Sequence, residues 1–325
     1  LPFEPNPLDG LLVVDKPGRP QNPARAADPA PAADRLWTSH DVVARVRRLS
    51  GQRRIGHTGT LDPMASGVLV LCLGLATRLV EYYQGEEKRY YAEVLLGRAT
   101  DTYDVEGSVT ATAPVPGLTP ANVEAALARF RGPQLQAPPA YSAIKQEGEA
   151  LYARARRGES VTVEARPVTF YRLDLLDLPA PDRLALAITC SAGAYVRSLA
   201  HDLGIALGTL GTLAVLRREA AGGFSLAAAH TLDAIEGAAA AGRLAELLQP
   251  PGANLPLPQV TLPPELRQRL AHGQRVLLPR DLCSVPEVGA LVQVRDEDGA
   301  LTGIMRCLQL DSPTAALWKA EKWLS

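Results

Sequence analysis

One stretch constrains this chain more than any other: Arg54–Leu69, which reads Arg-Ile-Gly-His-Thr-Gly-Thr-Leu-Asp-Pro-Met-Ala-Ser-Gly-Val-Leu. Three glycines and a proline interrupt it, so it must be a bent, tightly packed loop. It carries one carboxylate, Asp62, and five arginines but no acid lie between Val42 and Leu61. A single acid in a glycine-shaped loop behind a basic run is a pattern that a nucleic-acid-modifying site could show.

The elements around this loop set the fold class. Leu11–Val14 is apolar throughout and runs into Asp15-Lys16-Pro17-Gly18, which predicts a short buried strand and a turn. Residues 19–34 are rich in Ala and Pro, with almost no large apolar side chain. Such a stretch cannot bury a core, and a disordered insertion is expected there. Thr38 or Ser39 caps a helix whose apolar face is Val42, Val43, Val46 and Leu49. Arg45, Arg47 and Arg48 occupy much of its remaining surface.

Val68–Leu73 reads as a strand or the start of a buried helix, and Tyr90–Leu96 has strand composition. Thr119-Pro120 opens a helix ending near Gly132, with Val123, Leu127 and Phe130 inward. Leu184–Cys190 alternates large and small, and a helix follows from about Ser198 to Leu207. Strands and helices mix without a βαβ rhythm, so α+β fits better than a doubly wound sheet.

Four prolines within residues 249–258 mark a boundary between units 1–249 and 250–325. Beyond it lie a short helix near Pro264–Ala271 and a hairpin. The hairpin pairs Leu291–Arg295 with Leu301–Cys307 across an Asp-Gly turn. The second unit is therefore expected to be small and β-rich.

The 325 residues suffice for a large core and two domains. The four cysteines are far apart without a C-x-x-C pair, and no H-E-x-x-H occurs, so no metal site or disulfide framework is expected. No apolar run approaches a bilayer span, and the N-terminus lacks the regions of a signal peptide, so a cytoplasmic protein with no membrane contact is expected. The absence of an initial Met points to a trimmed or partial N-terminus. Net charge is −1, so charge distribution matters more than the sum. Basic residues cluster at Arg45–His57, and acid is concentrated elsewhere, for example at Asp101, Asp104 and Glu106.

Taken alone, Asp62 reads first as a turn opener, since Asp before Pro commonly starts one. Lys88-Arg89-Tyr90-Tyr91 is either a charged strand edge or a set of cations with a tyrosine face for stacking a base. Ala194-Tyr195-Val196-Arg197 lies where a strand turns into a helix. Tyr195 and Arg197, two apart, would share a face in an extended segment. An arginine brought to Asp62 would keep that carboxylate ionised and oriented. Leu216-Arg217-Arg218 is weak on its own, because apolar-then-basic triplets are usually core plus solvated face.

Together these segments resemble the bacterial TruB-type tRNA pseudouridine-55 synthases. The matching pieces are Gly10–Pro17, Gly56–Pro63, Lys88–Tyr90, Gly97–Thr102, Pro139–Lys145, Cys190–Arg197 and Leu216–Arg218, collinear from Leu8 to Arg218. The Gly-His-Thr-Gly-x-Leu-Asp-Pro string is the most specific. The resemblance implies a mixed, mainly antiparallel sheet flanked by helices and a PUA-like RNA-binding domain at 250–325. It implies that Asp62 is catalytic, that Tyr90 stacks on the target base and that Arg197 pairs with Asp62. His57, Tyr195 and Leu216 are expected in the uridine pocket, and Lys16 as a supporting residue beside it.

Arg45, Arg48, Arg53, Arg54, Lys88, Arg89 and Lys145 are expected against the RNA backbone, with 139–166 as a thumb over the RNA. The expected substrate is the T arm of tRNA, turned over by a monomer without cofactor, metal or obligatory protein partner. Two departures from the family pattern are the 19–34 insertion and Ala194, where many members carry threonine. A guide-RNA-dependent synthase and a non-catalytic tRNA-binding or folding protein remain alternatives.

Overall fold

The computed structural model describes residues 8–19, 36–139, 145–146, 149–150, 157, 164–283 and 287–324. The expected insertion, apart from Arg19, and most of the expected thumb lie outside the described residues. The described strands are β1 (Gly10–Lys16), β2 (Ile55–His57), β3 (Ser66–Leu73), β4 (Lys88–Leu96), β5 (Arg98–Thr100), β6 (Val109–Thr112), β7 (Gly132–Gln136), β8 (Lys145–Gln146) and β9 (Glu149–Ala150). They continue with β10 (Arg166–Ala180), β11 (Arg183–Cys190), β12 (Gly211–Ala221), β13 (Phe224–Ser225), β14 (Gln259–Thr261), β15 (Val276–Pro279), β16 (Leu291–Arg295), β17 (Leu301–Leu310) and β18 (Ala315–Trp323).

The large sheet runs β1-β3-β12-β4-β11-β10-β7, with β2 on β3 and β13 on β12. Only the β3–β12 contact is parallel, so the sheet is mixed and mainly antiparallel, as expected. Gly67 permits that contact. Its φ is +103°, and a Cβ there would lie 2.2 Å from the carbonyl oxygen of Arg218.

Period-two alternation in β1 and β3 buries both faces of this end of the sheet. Leu12, Val14, Leu69, Leu71 and Leu73 enter the main core with Val42, Val43 and Val46 of helix α1 (Ser39–Ser50). Leu11, Val13, Val68, Val70 and Cys72 face the other way, against Leu301, Ile304 and Leu324 of the C-terminal unit. Residues 249–258, read from sequence as a boundary between two units, are thus tied down. Gln249 pairs with Leu11, Tyr83 donates to the Ala253 carbonyl at 2.9 Å, and Leu255 is buried.

The C-terminal unit is a second sheet, β14-β16-β17-β18-β15, closed over Trp318, with a helix at Pro264–Ala271. It is the β-rich module that the resemblance implied. Helix α2 (Val80–Gln84) precedes β4, and α3 (Pro120–Leu127) begins at the Thr119 cap with Asn122 completing a capping box. The α1 cap is Thr38, whose hydroxyl accepts from the Asp41 amide while Asp41 bonds back to Thr38. Helix α4 (Val196–Ala206) packs on β12. The Thr231-capped helix α5 (Leu232–Ala240) lies beside α1.

Candidate active site

The loop between β2 and β3 is held by its backbone from several sides. Arg218, 2% exposed on β12, donates to the carbonyls of Gly59 at 3.0 Å, Thr60 at 3.3 Å and Val68 at 2.7 Å. Fully buried Lys16 donates to the carbonyls of Pro63 at 3.1 Å and Ala65 at 2.6 Å, and to its neighbour Pro17 at 2.9 Å. Between these grips, the Ser39 hydroxyl donates to the Leu61 carbonyl at 3.0 Å and accepts from the Leu61 amide at 2.9 Å. Gly56 and Gly59, expected to supply the bend, take no positive φ, and a Cβ at either would meet nothing closer than 3.4 Å. The anchors, not those two glycines, shape the loop.

Asp62 opens a turn, since the Ala65 amide donates to its carbonyl at 3.1 Å. It also holds a charge partner, so the turn reading and the functional reading coexist. Arg197 Nη2 donates to Asp62 Oδ1 at 3.0 Å, and Arg197 Nε lies 2.9 Å from Oδ2. The Arg197 side chain is 6% exposed and that of Asp62 29%, so the carboxylate alone opens to solvent. A planar guanidinium facing both carboxylate oxygens fixes its rotation as well as its charge.

Sequence reading missed the other side of Arg197. Asp104, taken as acid remote from the basic cluster, is buried with Oδ2 3.5 Å from Arg197 Nη1, which also donates to the Thr102 carbonyl at 3.0 Å. The Thr102 hydroxyl donates to Asp104 Oδ1 at 2.6 Å, and the Glu106 amide does so at 3.1 Å. Burial pushes the Asp104 carboxyl above the usual range, against the pull of Thr102 and Arg197. Tyr103 between them takes φ +63° and stacks on His201 of α4, with ring centroids 4.1 Å apart. The spacing of residues 62, 104 and 197 gives no local signal of this arrangement.

Tyr90 stands on β4 opposite Arg218 of β12, with 9% exposure. Burial raises its hydroxyl pKa, so the ring is neutral at physiological pH. Leu216 lies two residues from Arg218 in the same strand, buried in the same core cluster as Tyr90, Leu61 and Met64. His57 ends β2 half-buried. Burial, then Arg218 and His40, lower its pKa, which favours the neutral imidazole.

Tyr195 and Arg197 do not share an extended face, because the chain is helical from Val196. Tyr195 is the residue before the helix, and the Gln136 amide clamps its backbone at 2.8 and 3.0 Å.

Several expected contacts change role. Lys16 is enclosed and spends its ammonium on loop carbonyls. Lys88, expected on RNA, is 7% exposed and donates to the carbonyls of Gln84, at 2.7 Å, and Glu86. It closes the end of α2, with its ammonium engaged by those carbonyls. Arg48, Arg53, Arg54 and Arg89 are exposed. Arg45 is half-buried and pairs with Glu236 of α5 at 2.6 Å. Lys145 lies in β8, but its side chain is outside the described residues.

The family model for the N-terminal domain of TruB family pseudouridylate synthases matches residues 47–196. The model for the tRNA pseudouridylate synthase B C-terminal domain matches residues 197–255. The chain belongs to the TruB family. A tRNA pseudouridine synthase B of Symbiobacterium thermophilum is 48% identical over 73% of this chain and 78% of its own. One from Burkholderia mallei is 40% identical over 92% and 93%. A chain in the crystal structure of a Cbf5–Nop10–Gar1 complex superposes with TM-score 0.72 at 23% identity, covering 98% of this TruB-family chain and 86% of that one. At that identity the likeness speaks for the fold.

Proposed function

We propose that this TruB-family chain isomerises uridine to pseudouridine at position 55 in the T arm of tRNA, with Asp62 as its catalytic carboxylate. The observation that carries this reading is the Asp62–Arg197 pair: a solvent-reaching carboxylate locked by a buried guanidinium. It is supported by relatives named tRNA pseudouridine synthase B at 40–48% identity over most of the chain.

The reaction breaks N1–C1′, turns the uracil, joins C5 to C1′, releases the C5 proton and leaves N1 to take up a proton in its place. It is an isomerisation with no net redox change. The carboxylate serves attack at C1′, attack at C6 or a glycal-type route, and each requires it ionised. Arg197 fixes the orientation of that carboxylate. The target base must first leave its stack, at a cost on the order of a few kcal/mol. The neutral ring of Tyr90 and the side chain of Leu216 receive it, with His57 and Tyr195 at the pocket edge.

Exposed Arg48, Arg53, Arg54 and Arg89 bind backbone phosphates, and Arg45 joins them by exchanging Glu236 for RNA. The thumb at 139–166 with Lys145, and the C-terminal unit from 250, complete the RNA surface. Among the described residues no helix is long and apolar enough to cross a membrane, and a cytoplasmic monomer that needs no protein partner fits this reading.

The test is tritium release from C5-labelled tRNA transcript by purified protein, with a base-resolution map of the product. Wild-type protein should release tritium at position 55 alone, and Asp62→Asn should release essentially none. Near-normal turnover by Asp62→Asn removes Asp62 from the mechanism, and product at another position overturns the site assignment. Dependence on added protein or guide RNA would favour the guide-dependent alternative.

A further inference from the structure

The Asp62 turn and the Asp104 loop meet a second time, through Arg19 and Glu106. Arg19 follows β1, and its amide donates to the Met64 carbonyl at 2.9 Å, within the turn that Asp62 opens. Its guanidinium Nη1 lies 3.0 Å from Glu106 Oε1. The Glu106 amide in turn donates to Asp104 Oδ1 at 3.1 Å. Asp104 faces Arg197, and Arg197 holds Asp62. The contacts close a ring through Asp62, Arg197, Asp104, Glu106, Arg19 and Met64.

A solvent-exposed ion pair commonly contributes little, because salt screens it and two long side chains must be ordered. This pair differs on the arginine side only: the Arg19 side chain is 9% exposed, whereas Glu106, at 30%, and the bond itself reach solvent. It also differs in what it joins. Gly18, next to Arg19, packs so closely that a Cβ there would lie 2.6 Å from the Met64 carbonyl oxygen. Movement of Arg19 is therefore passed to the turn that aims Asp62, and movement of Glu106 to the carboxylate that flanks Arg197.

We propose that Arg19 and Glu106 are positioning residues that close this ring and hold the Asp62 turn at a fixed distance from the Asp104 loop. The proposal rests on Asp62 and Arg197 being the reacting pair. As positioning residues they act through the Asp62 turn and Asp104, so their loss should lower the rate of the chemical step and leave tRNA affinity alone.

The experiment compares Arg19→Ala, Glu106→Ala, the double alanine variant and the charge swap Arg19→Glu/Glu106→Arg. Single-turnover tritium release and tRNA affinity are measured for each. Each single variant should lose about five- to twenty-fold in single-turnover rate, with affinity within about two-fold of wild type. The double alanine variant should be no slower than the worse single one, and the swap should recover most of the loss.

Single-variant rates within about two-fold of wild type, or losses that multiply in the double variant, overturn the proposal. Amide hydrogen exchange at Arg19 and Ala65 gives a readout that needs no turnover. Both should exchange at least about ten-fold faster in Glu106→Ala, and unchanged protection also overturns the proposal. An inactive wild-type protein with the expected exchange behaviour would indict the proposed reaction and leave the ring standing.

Discussion

Asp104→Asn separates the electrostatic part of the site from its packing. The substitution keeps size and shape, and an amide oxygen at Oδ1 can still accept from the Thr102 hydroxyl and the Glu106 amide. That orientation turns the new NH₂ toward Arg197 Nη1, where Oδ2 now stands 3.5 Å away. Two unit charges about 4 Å apart attract by about 4 kcal/mol at an effective dielectric of ~20. Desolvation outweighs that attraction in the folding balance, which is why the Asp104 pKa is raised, but the hold on Arg197 still depends on the charge. The hold lost from Arg197 should be on the order of 1.5–3 kcal/mol, the range for a hydrogen bond to a charged group.

At about 1.4 kcal/mol per decade, that predicts a loss of roughly ten- to hundred-fold in the rate of the chemical step. It should appear in kcat and not in KM, because Asp104 is buried and meets no RNA. The assay is single-turnover tritium release, with tRNA affinity measured separately. Stability should move the other way. Burial raises the Asp104 carboxyl pKa, so its contribution to folding is complete below the unfolded value near ~3.9 and is lost as pH rises through the folded value. The amide carries no such loss, so the thermal midpoint of the variant, relative to wild type, should rise as pH climbs from about 4 through the raised folded value. A single-turnover rate within about two-fold of wild type would refute the idea that Asp104 orients Arg197.

Other substitutions probe the loop supports. Lys16→Met leaves the Pro17, Pro63 and Ala65 carbonyls without their donor; at roughly 1–3 kcal/mol per buried unpaired acceptor, urea unfolding should report a loss of several kcal/mol. Burial lowers the Lys16 pKa to about 8. Its share of stability therefore rises with pH above about 8, as the cost of burying charge is relieved. A neutral amine has only two N–H groups to offer, so kcat should fall over the same window. A kcat that stays flat to about pH 10 would contradict this. Ser39→Ala strands the Leu61 amide and carbonyl and should cost on the order of 2 kcal/mol by urea unfolding. Gly67→Ala should yield no folded soluble protein, whereas Gly59→Ala should leave the thermal midpoint within a few degrees, because one Cβ meets backbone at 2.2 Å and the other meets nothing nearer than 3.8 Å. Equal behaviour of the two would contradict the account of the loop.

What the sequence reveals and hides follows from the range of each interaction. The Thr38 cap, the Thr119-Pro120 start and the Asp-Gly hairpin depend on neighbours within a few positions, and all are legible. The Gly56–Pro63 string is legible too, but as a resemblance, because nothing local distinguishes a catalytic Asp62 from a turn opener. Asp104 is illegible for the opposite reason: its partner lies 93 positions away, and its immediate surroundings read as an ordinary acidic loop.

Lys88 is an instructive miss, because a short-range signal was available. Strand β4 alternates, and the face that buries Tyr90 and Ala92 also buries Lys88, leaving Arg89 outside. Period two would have assigned Lys88 to the interior once Tyr90 was placed in the pocket. Arg218 follows the same logic, in phase with buried Leu216 and Ala220, and Lys16 ends β1 in phase with buried Val14 and Leu12. Of the cations expected against RNA, Lys88 is turned to buried carbonyls, as are Lys16 and Arg218, which are not among those expected there. A buried ammonium or guanidinium is stable only where such acceptors converge. In this loop, those two requirements are met by each other: the carbonyls that an irregular loop cannot pair within itself are the ones that allow Lys16 and Arg218 to be buried beneath Asp62.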